Sequence, residues 1–423
     1  MHQRRSFLAL AGIVATCLGV GGAEEAAKAS DPLRESPRPL AERADDSDRP
    51  LHISDADASI VKARLSGPRF FAPEVFHGAE DYYNPRVLRL RSDYNFLEAI
   101  EGEEQELKKL LMLRHWVHKQ WPIDDDQRFS GDAFAILEEA RKTGAGFHCA
   151  HSMTVQQAVL TAAGYVARNL GIDRSHEKFG RSFHHGINEV WSNDYAKWVA
   201  LDAKYDLHFE RDGVPLSALE LHEALRENDG EGLQMVKGVD RQPIPRPNPE
   251  EYGGRIDSYW WVSYHVRQNT FTQPHFSGGS SLVIFDNKAF RQDAWYRGAG
   301  DTLAKHWAYA AGAFIPIADR RQIEWTPGVT SLDRIRQVER GRLRVDPRSA
   351  TPNFKEYRYR ITGGPWQSLE GDQRIDWLLR EGENTLEVRT RNLFGVDGPS
   401  ARATIEYTDP TAGARTSDQR RRP

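Results

Sequence analysis

The sequence predicts an α+β protein, with helices packed on an antiparallel sheet, followed by an aromatic-rich region and a small all-β sandwich. Three observations carry this prediction. Apolar residues recur at helical spacing from Leu107 to Val117 and again in the segment running toward Ala163. Beyond Gly164 the period of the pattern changes to two. From about Gly341, short alternating runs are separated at regular intervals by glycine-containing turns. A chain of 423 residues has room for two or three compact domains.

The N-terminus has the pattern of an export signal. Arg4-Arg5-Ser6-Phe7-Leu8 leads into an apolar run from Leu8 to Val20, closed by Gly21-Gly22-Ala23. That run is too short to span a bilayer comfortably as a helix, so residues 1–23 are expected to be a cleaved signal peptide, not an anchor. Arg-Arg-x-Phe-Leu resembles a twin-arginine signal, and ordinary secretion stays open beside it. Cys17 is a poor lipid-attachment site, because Thr16 stands where a small residue is wanted. The protein is therefore expected to be exported (periplasmic, extracellular or at the cell surface), with no transmembrane segment. Apolar residues make up 39%, charged residues 28%, and the formal net charge is −4. This balance has no basic excess to attract nucleic acid.

Residues 24–50, rich in Ala, Pro, Asp, Glu and Arg, are expected to form a flexible linker. Leu107, Leu110, Leu111, Leu113, Trp116 and Val117 predict an amphipathic helix within Gly102–Gln120. A second helix fits Asp132–Lys142 and stops at Gly144; a third starts near Cys149 and runs to about Ala163, stopped by Gly164. Strands are predicted at Tyr165–Gly171, Gly186–Trp191 and Lys197–Asp202, with Ser192-Asn193-Asp194 turning between the last two. A helix near Leu216–Leu225 closes a catalytic domain expected at 51–230, its core at 95–230. The acidic residues at 101–106 and 123–126 are expected to be solvated faces. Residues 231–340 form an extension without an assignable fold. Its aromatic stretch (Tyr252, Tyr259, Trp260, Trp261, Tyr264, Phe271, Phe276) fits packing against the catalytic domain better than a sugar- or peptide-stacking surface. Arg342–Val345, Glu356–Ile361, Arg374–Leu379, Asn384–Arg391 and Ala401–Tyr407 are predicted strands of a sandwich at 341–408, and residues 409–423 a disordered tail.

Without residues 1–23, Cys149 is the only thiol, so no intrachain disulfide can form. It stands where a glycine-containing loop becomes a helix. Free N–H groups and the positive end of the helix dipole both favour a thiolate there, and the same N–H groups can hold an oxyanion. A thiol nucleophile needs an imidazole in reach and a carboxylate to orient it. His185 and Asp202 fall on neighbouring strands of one hairpin and can meet across the ladder. His184 faces the other side of its strand and is expected at the surface or the cleft rim. His148 and His151, three apart, lack a matching Cys or carboxylate pair at ligand spacing, so neither a metal nor another cofactor is expected. Trp116, Trp191 and Trp198 are expected core aromatics, and Arg168 a structural partner for a carboxylate such as Glu189.

Four linked elements then resemble the transglutaminase-like superfamily: Gly146-Phe147-His148-Cys149 opening a helix, Gly164-Tyr165-Val166-Ala167-Arg168, His185-Gly186-Ile187-Asn188-Glu189-Val190, and Trp198-Val199-Ala200-Leu201-Asp202. The family pattern has one residue, not two, between the glycine and the cysteine, and an aromatic where Ile187 stands. The resemblance implies a papain-like cysteine acyl-transfer domain with Cys149, His185 and Asp202 as its catalytic set. The papain group itself fits less well, since its histidine lies far beyond the cysteine and its Cys-Gly-Ser-Cys-Trp element is missing. Tyr357–Ile361, Gly382–Arg389 and Asn392…Gly395 resemble an immunoglobulin-like accessory module. The expected function is that of an exported thiol enzyme acting on an amide or glutamine carbonyl, by hydrolysis in preference to transamidation. Its expected partner is a protein or peptide substrate, with cell-wall or surface glycan as a further partner of the aromatic region or the sandwich. The alternative from another class is a non-catalytic surface or glycan-binding protein that keeps the thiol fold as a scaffold.

Overall fold

The computed structural model describes residues 48–69, 71, 73, 80–124, 131–174, 183–244, 256–265, 282–285, 314–370 and 373–409. The expected signal, the linker up to residue 47 and the tail from residue 410 lie outside them. The described chain opens with β1 (Arg49–Pro50) and β2 (Ile60–Ser66), followed by α1 (Pro85–Asp93), α2 (Glu106–His118), α3 (Ala133–Thr143) and α4 (Cys149–Ala162). Next come β3 (Ala167–Arg174), β4 (Phe183–Ser192), β5 (Lys197–Leu201), β6 (Leu207–Arg211), β7 (Val214–Pro215), α5 (Ala218–Asn228), β8 (Gln234–Lys237) and β9 (Gln242–Ile244).

Helix limits follow from their caps. Asp132 accepts the Ala135 N–H at 2.9 Å to start α3, and Gly144 ends it in the left-handed region at φ 68°. Ser217 and Glu220 form a capping box at the start of α5. In α2 the apolar stripe Leu107, Leu110, Leu111, Leu113 and Val117 is buried as its spacing requires. The strands begin and end a few residues away from the predicted limits. The segment Tyr165-Val166 is a connector, and β3 runs on to Arg174.

The region left without a fold assignment completes the sheet that β3, β4 and β5 begin. Strands β10 (Trp261–His265), β11 (Leu282–Phe285) and β12 (Phe314–Ile317) join it in the order β12-β11-β10-β3-β4-β5. All pairs are antiparallel except β11 with β12. Tyr259, Trp260, Trp261 and Tyr264 are buried, which rules out a stacking surface for these four; Tyr252, Phe271 and Phe276 lie outside the described residues. One face of the sheet carries α4. Leu170, Ile172, Ile187 and Ala200 bury the other against Leu207, Phe209, Leu221 and Tyr259. A four-stranded sheet, β7-β6-β8-β9, flanks this second core.

The C-terminal strands are β13 (Thr330–Ser331), β14 (Ile335–Glu339), β15 (Arg342–Val345), β16 (Arg348–Ser349), β17 (Phe354–Ile361), β18 (Gln367–Leu369), β19 (Ile375–Leu378), β20 (Gly382–Asn392) and β21 (Ala401–Tyr407). A six-stranded sheet, β1-β2-β21-β20-β17-β18, and a three-stranded sheet, β14-β15-β19, share one core that includes Leu343, Trp377, Leu386 and Ile405. The sandwich is therefore wider than 341–408. Residues 49–66, placed by the sequence in the linker and the catalytic domain, pair with β21 and bury Leu51, Ile53 and Leu65 in the sandwich core. β14, placed in the extension, supplies Ile335.

The sandwich and the α+β domain meet at the C-terminal end of α4. Asn392 Nδ2 donates to the Gly164 carbonyl at 2.8 Å, and a Cβ on Gly164 would come within 2.5 Å of the Phe394 Cβ. A cavity lined by Tyr165, Trp198, Trp325, Asn353 and Phe394 lies at this junction. It is at the far end of α4 from Cys149.

Candidate active site

Cys149 is the first residue of α4 and is half-buried. Helix geometry leaves its N–H outside the intrahelical ladder, free to face a bound oxygen. The preceding His148 is the N-cap, and its Nδ1 accepts the Ala150 N–H at 3.1 Å. The loop that delivers the cysteine is held from the other side. Phe147 bridges in parallel to Ile123, and a Cβ on Gly146 would collide with the Pro122 carbonyl oxygen and stand 2.6 Å from the Asp124 Cβ. Only glycine fits there.

His185 lies near the start of β4, at the same end of the sheet as the start of α4. Its Nε2 is 2.8 Å from Asp202 Oδ2, and both side chains are almost fully buried. The register explains the meeting. Asn188 pairs with Leu201, so Asp202 comes opposite Ile187, two positions and one side-chain repeat from His185. With Nε2 committed to the carboxylate, Nδ1 is left for the hydrogen bond between His185 and Cys149. The structure thus brings together the three residues named from the sequence.

Electrostatics favour an ion pair. Burial pushes the Cys149 thiol up, but its contacts with the His148 and His185 rings and the charges of His185 and His184 hold it well below the usual thiol range. His148 Nδ1, 4.0 Å from the sulfur, already accepts a backbone N–H and so has no proton there to give. The lowering therefore rests on His185 and His184. Burial pulls the His185 ring down, while the Asp202 carboxylate and the Cys149 sulfur outweigh it and push the ring up to about 10.

Asp202 is fixed by residues the sequence reading passed over. Its Oδ1 accepts the Tyr205 N–H at 3.2 Å, and paired backbone bonds between Asp202 and Leu207 close the loop. Below the loop, buried Arg114 donates to Asp206 Oδ1 at 2.9 Å, to His208 Nδ1 at 2.8 Å and to the Gly238 carbonyl at 2.9 Å. Because arginine only donates, His208 Nδ1 is an acceptor, and its Nε2–H is given to Glu210 at 2.7 Å. Arg241 makes a bidentate bond to the same carboxylate, both distances 2.6 Å. One signal was available. Arg114 lies four residues after Leu110, a charge inside an apolar stripe.

Two expectations about polar residues change. Glu106 does not line a solvated face: it accepts from Ser192 Oγ at 2.7 Å, Asn193 Nδ2 at 3.0 Å and the Asp194 N–H at 3.0 Å, tying α2 to the β4–β5 turn. Of the two places expected for His184, the open surface and the cleft rim, the structure excludes the first. It is largely buried and pairs through Nδ1 with Asp173 Oδ1 at 2.8 Å. Arg168 does meet Glu189, at 2.9 Å and 2.5 Å, and Glu189 also takes the first N–H of α5, from Ala218, at 2.6 Å. Trp191 and Trp198 are buried, and Trp116 is half-buried with its Nε1 bonded to Asn95 Oδ1 at 3.0 Å. Among the described residues no group of three or more His, Cys, Asp or Glu side chains is arranged to hold a metal, and no helix is long and apolar enough to cross a membrane.

The family model of the transglutaminase-like superfamily matches residues 95–203, the stretch that contains Cys149, His185 and Asp202. This segment is a transglutaminase-like domain. Its match ends one residue beyond Asp202, whereas the sheet of the transglutaminase-like domain continues through β10, β11 and β12. A solved structure of a candidate cysteine protease from Cytophaga hutchinsonii is 14% identical, with 38% of this chain and 50% of that chain covered at a TM-score of 0.23. This chain spans half the length of that protein, and a likeness at that score carries no argument. No curated protein matches the sequence.

Proposed function

We propose that the transglutaminase-like domain is a thiol acyl-transfer enzyme that hydrolyses amide bonds of a protein or peptide. The observation that carries this reading is the convergence of a helix-capping thiol with a buried imidazole–carboxylate pair. A scaffold has no physical need for that arrangement, because a buried charged pair costs desolvation that a hydrophobic pair avoids.

The reaction follows from the geometry. The Cys149 thiolate attacks the carbonyl carbon of a peptide or glutamine amide, and the Cys149 N–H holds the oxyanion. His185, protonated and oriented by Asp202, gives its proton to the nitrogen as the C–N bond breaks, leaving a thioester and an amine or ammonia. A water molecule then gives a proton to the neutral His185 as its oxygen attacks the thioester carbonyl. The C–S bond breaks, the carboxylic acid leaves, and the thiolate–imidazolium pair is restored. Hydrolysis is preferred over transamidation because water needs no binding site of its own, whereas an amine acceptor does. We also take the sandwich to be an immunoglobulin-like accessory module, and the N-terminal signal to place the enzyme outside the cytoplasm.

The test is labelling and turnover on the full chain. Iodoacetamide is expected to modify Cys149 at pH 6, where a free thiol is almost unreactive, and a peptide and glutamine library is expected to lose amide bonds with uptake of water. Folded protein that shows neither would sink the proposal. Mass gain from an added amine in place of water would instead assign transamidation.

A further inference from the structure

One imidazole near Cys149 takes no part in these steps. His184 precedes His185, and alternation along β4 turns its ring to the opposite face of the sheet. That face carries α4. Asn188 Nδ2 donates to the Met153 carbonyl at 3.1 Å and to Gln157 Oε1 at 3.4 Å. A Cβ on Gly186 would stand 3.1 Å from Met153 Sδ and 3.7 Å from Ala150 Cα. Strand and helix therefore run in the same sense, and each step back along β4 leads toward the start of α4. After Asn188 and Gly186, the next residue on this face is His184, at the level of Cys149.

Two further features hold the ring there. Gly171 and Gly186 are cross-strand neighbours, bare on this face. A Cβ on Gly171 would come within 3.2 Å of His184 Cε1, so the ring occupies room that only glycine leaves. Asp173, opposite His184 in the register, fixes Nδ1 at 2.8 Å.

We propose that His184, clamped by Asp173, is a positioning residue for Cys149: it holds a second fixed positive charge at the sulfur and shares with His185 the task of keeping it ionised. This rests on the reading of Cys149 as the nucleophile. The groups that act on the sulfur are His148 at the start of α4 and His184 and His185 on β4; His151 packs on His148, Asp173 on β3 pairs with His184, and Asp202 after β5 pairs with His185. His148 presents a lone pair and not a proton, and His151 is buried with its ring 4.3 Å from that of His148. Asp202 is matched by His185. That leaves His184 and His185 as the cations at Cys149 among the described residues. The ionisation of His184 agrees: burial pulls it down, but Asp173 and the Cys149 sulfur outweigh this and raise it.

The experiment is the pH dependence of Cys149 alkylation by iodoacetamide in the full chain, for wild type, His184→Gln and His184→Lys, with circular dichroism to establish folding. His184→Gln is expected to raise the thiolate midpoint by about one unit, so that alkylation on the acid limb slows about tenfold while the alkaline plateau is unchanged. His184→Lys, which restores a cation, is expected to return the midpoint toward wild type. A folded His184→Gln protein with the wild-type midpoint overturns the proposal. A wild-type thiol that titrates like free cysteine overturns the nucleophile reading instead. Should His184→Gln fail to fold, imidazole NMR of the wild type decides: capping Cys149 with methyl methanethiosulfonate must lower the His184 midpoint, and an unmoved midpoint overturns the proposal.

Discussion

At the scale of the residue, the candidate site is ordered by the assignment of polar atoms to partners. His185 uses Nε2 for Asp202, and that commitment decides which nitrogen faces the sulfur. Replacing Asp202 by Asn keeps the shape but removes the charge that holds the ring protonated and in one tautomer. We expect kcat to fall about 10²–10⁴-fold, with KM changed far less; equal losses in both would assign Asp202 to substrate binding. The pH profile has a definite sign. The nucleophile must be ionised and the acid protonated, so activity rises through the lowered Cys149 midpoint and falls as His185 loses its proton near pH 10. A bell centred near pH 5, or an alkaline limb near 6.5, would contradict this assignment.

Elements set the residues in place, and two buried polar systems connect them. Arg168 and Glu189 tie β3 to β4, and Glu189 caps α5 through the Ala218 N–H. Arg168→Met leaves a buried carboxylate without its charge partner, so a loss of about 3–5 kcal/mol is expected in urea unfolding; a loss below 1 kcal/mol would show that Glu189 simply takes up a proton. The second system, under the Asp202 loop, makes the protein sensitive to acid. Burial and the charges of Arg114 and Arg241 outweigh the Glu210 hydrogen bond and lower His208 to about 4, and burial likewise lowers His222 to about 4. A histidine lowered on folding contributes stability that is complete above the unfolded value of about 6.5 and lost as pH falls through the folded value. Thermal melts are therefore expected to fall between pH 6.5 and 4; His184 and His185, raised on folding, act in the opposite sense and lower the melts again as pH rises toward 10. A melting temperature constant down to pH 4 would mean that these rings stay accessible to protons in the fold.

On the scale of the whole molecule, the order of the chain is not the order of its domains. Residues 49–66 complete the sandwich, and β10, β11 and β12 complete the sheet of the transglutaminase-like domain. A fragment of residues 51–230, the domain expected from the sequence, would lack the strands that cover Leu170 and Ile172 and would carry β2 without β21. We expect that fragment to be insoluble, and residues 48–409 to be soluble and to melt in one transition. Cooperative melting of the 51–230 fragment would show that the added strands are dispensable. Helix α4 has Cys149 at one end and leads to the Gly164–Asn392 junction at the other.

The sequence by itself determined the elements whose signals are local. Helical spacing placed α2, Asp132 and Gly144 bounded α3, and the period-two runs placed β15 and β21 to the residue. It also named Cys149, His185 and Asp202, because a helix-starting cysteine and two strands of one hairpin are constraints carried within a few dozen residues, and the structure brings these three side chains together. Tertiary structure alone decided which distant strands join which sheet, since β2 with β21 and β10 with β3 are held by pairings that leave no mark on either segment separately. It alone decided the fate of the charges as well. Glu106 looks like a solvent-facing residue in the sequence, His184 like a surface or rim residue, and Arg114 like a stray charge in an apolar stripe; only the packing of neighbouring elements removes water from them and supplies the partners that make burial tolerable.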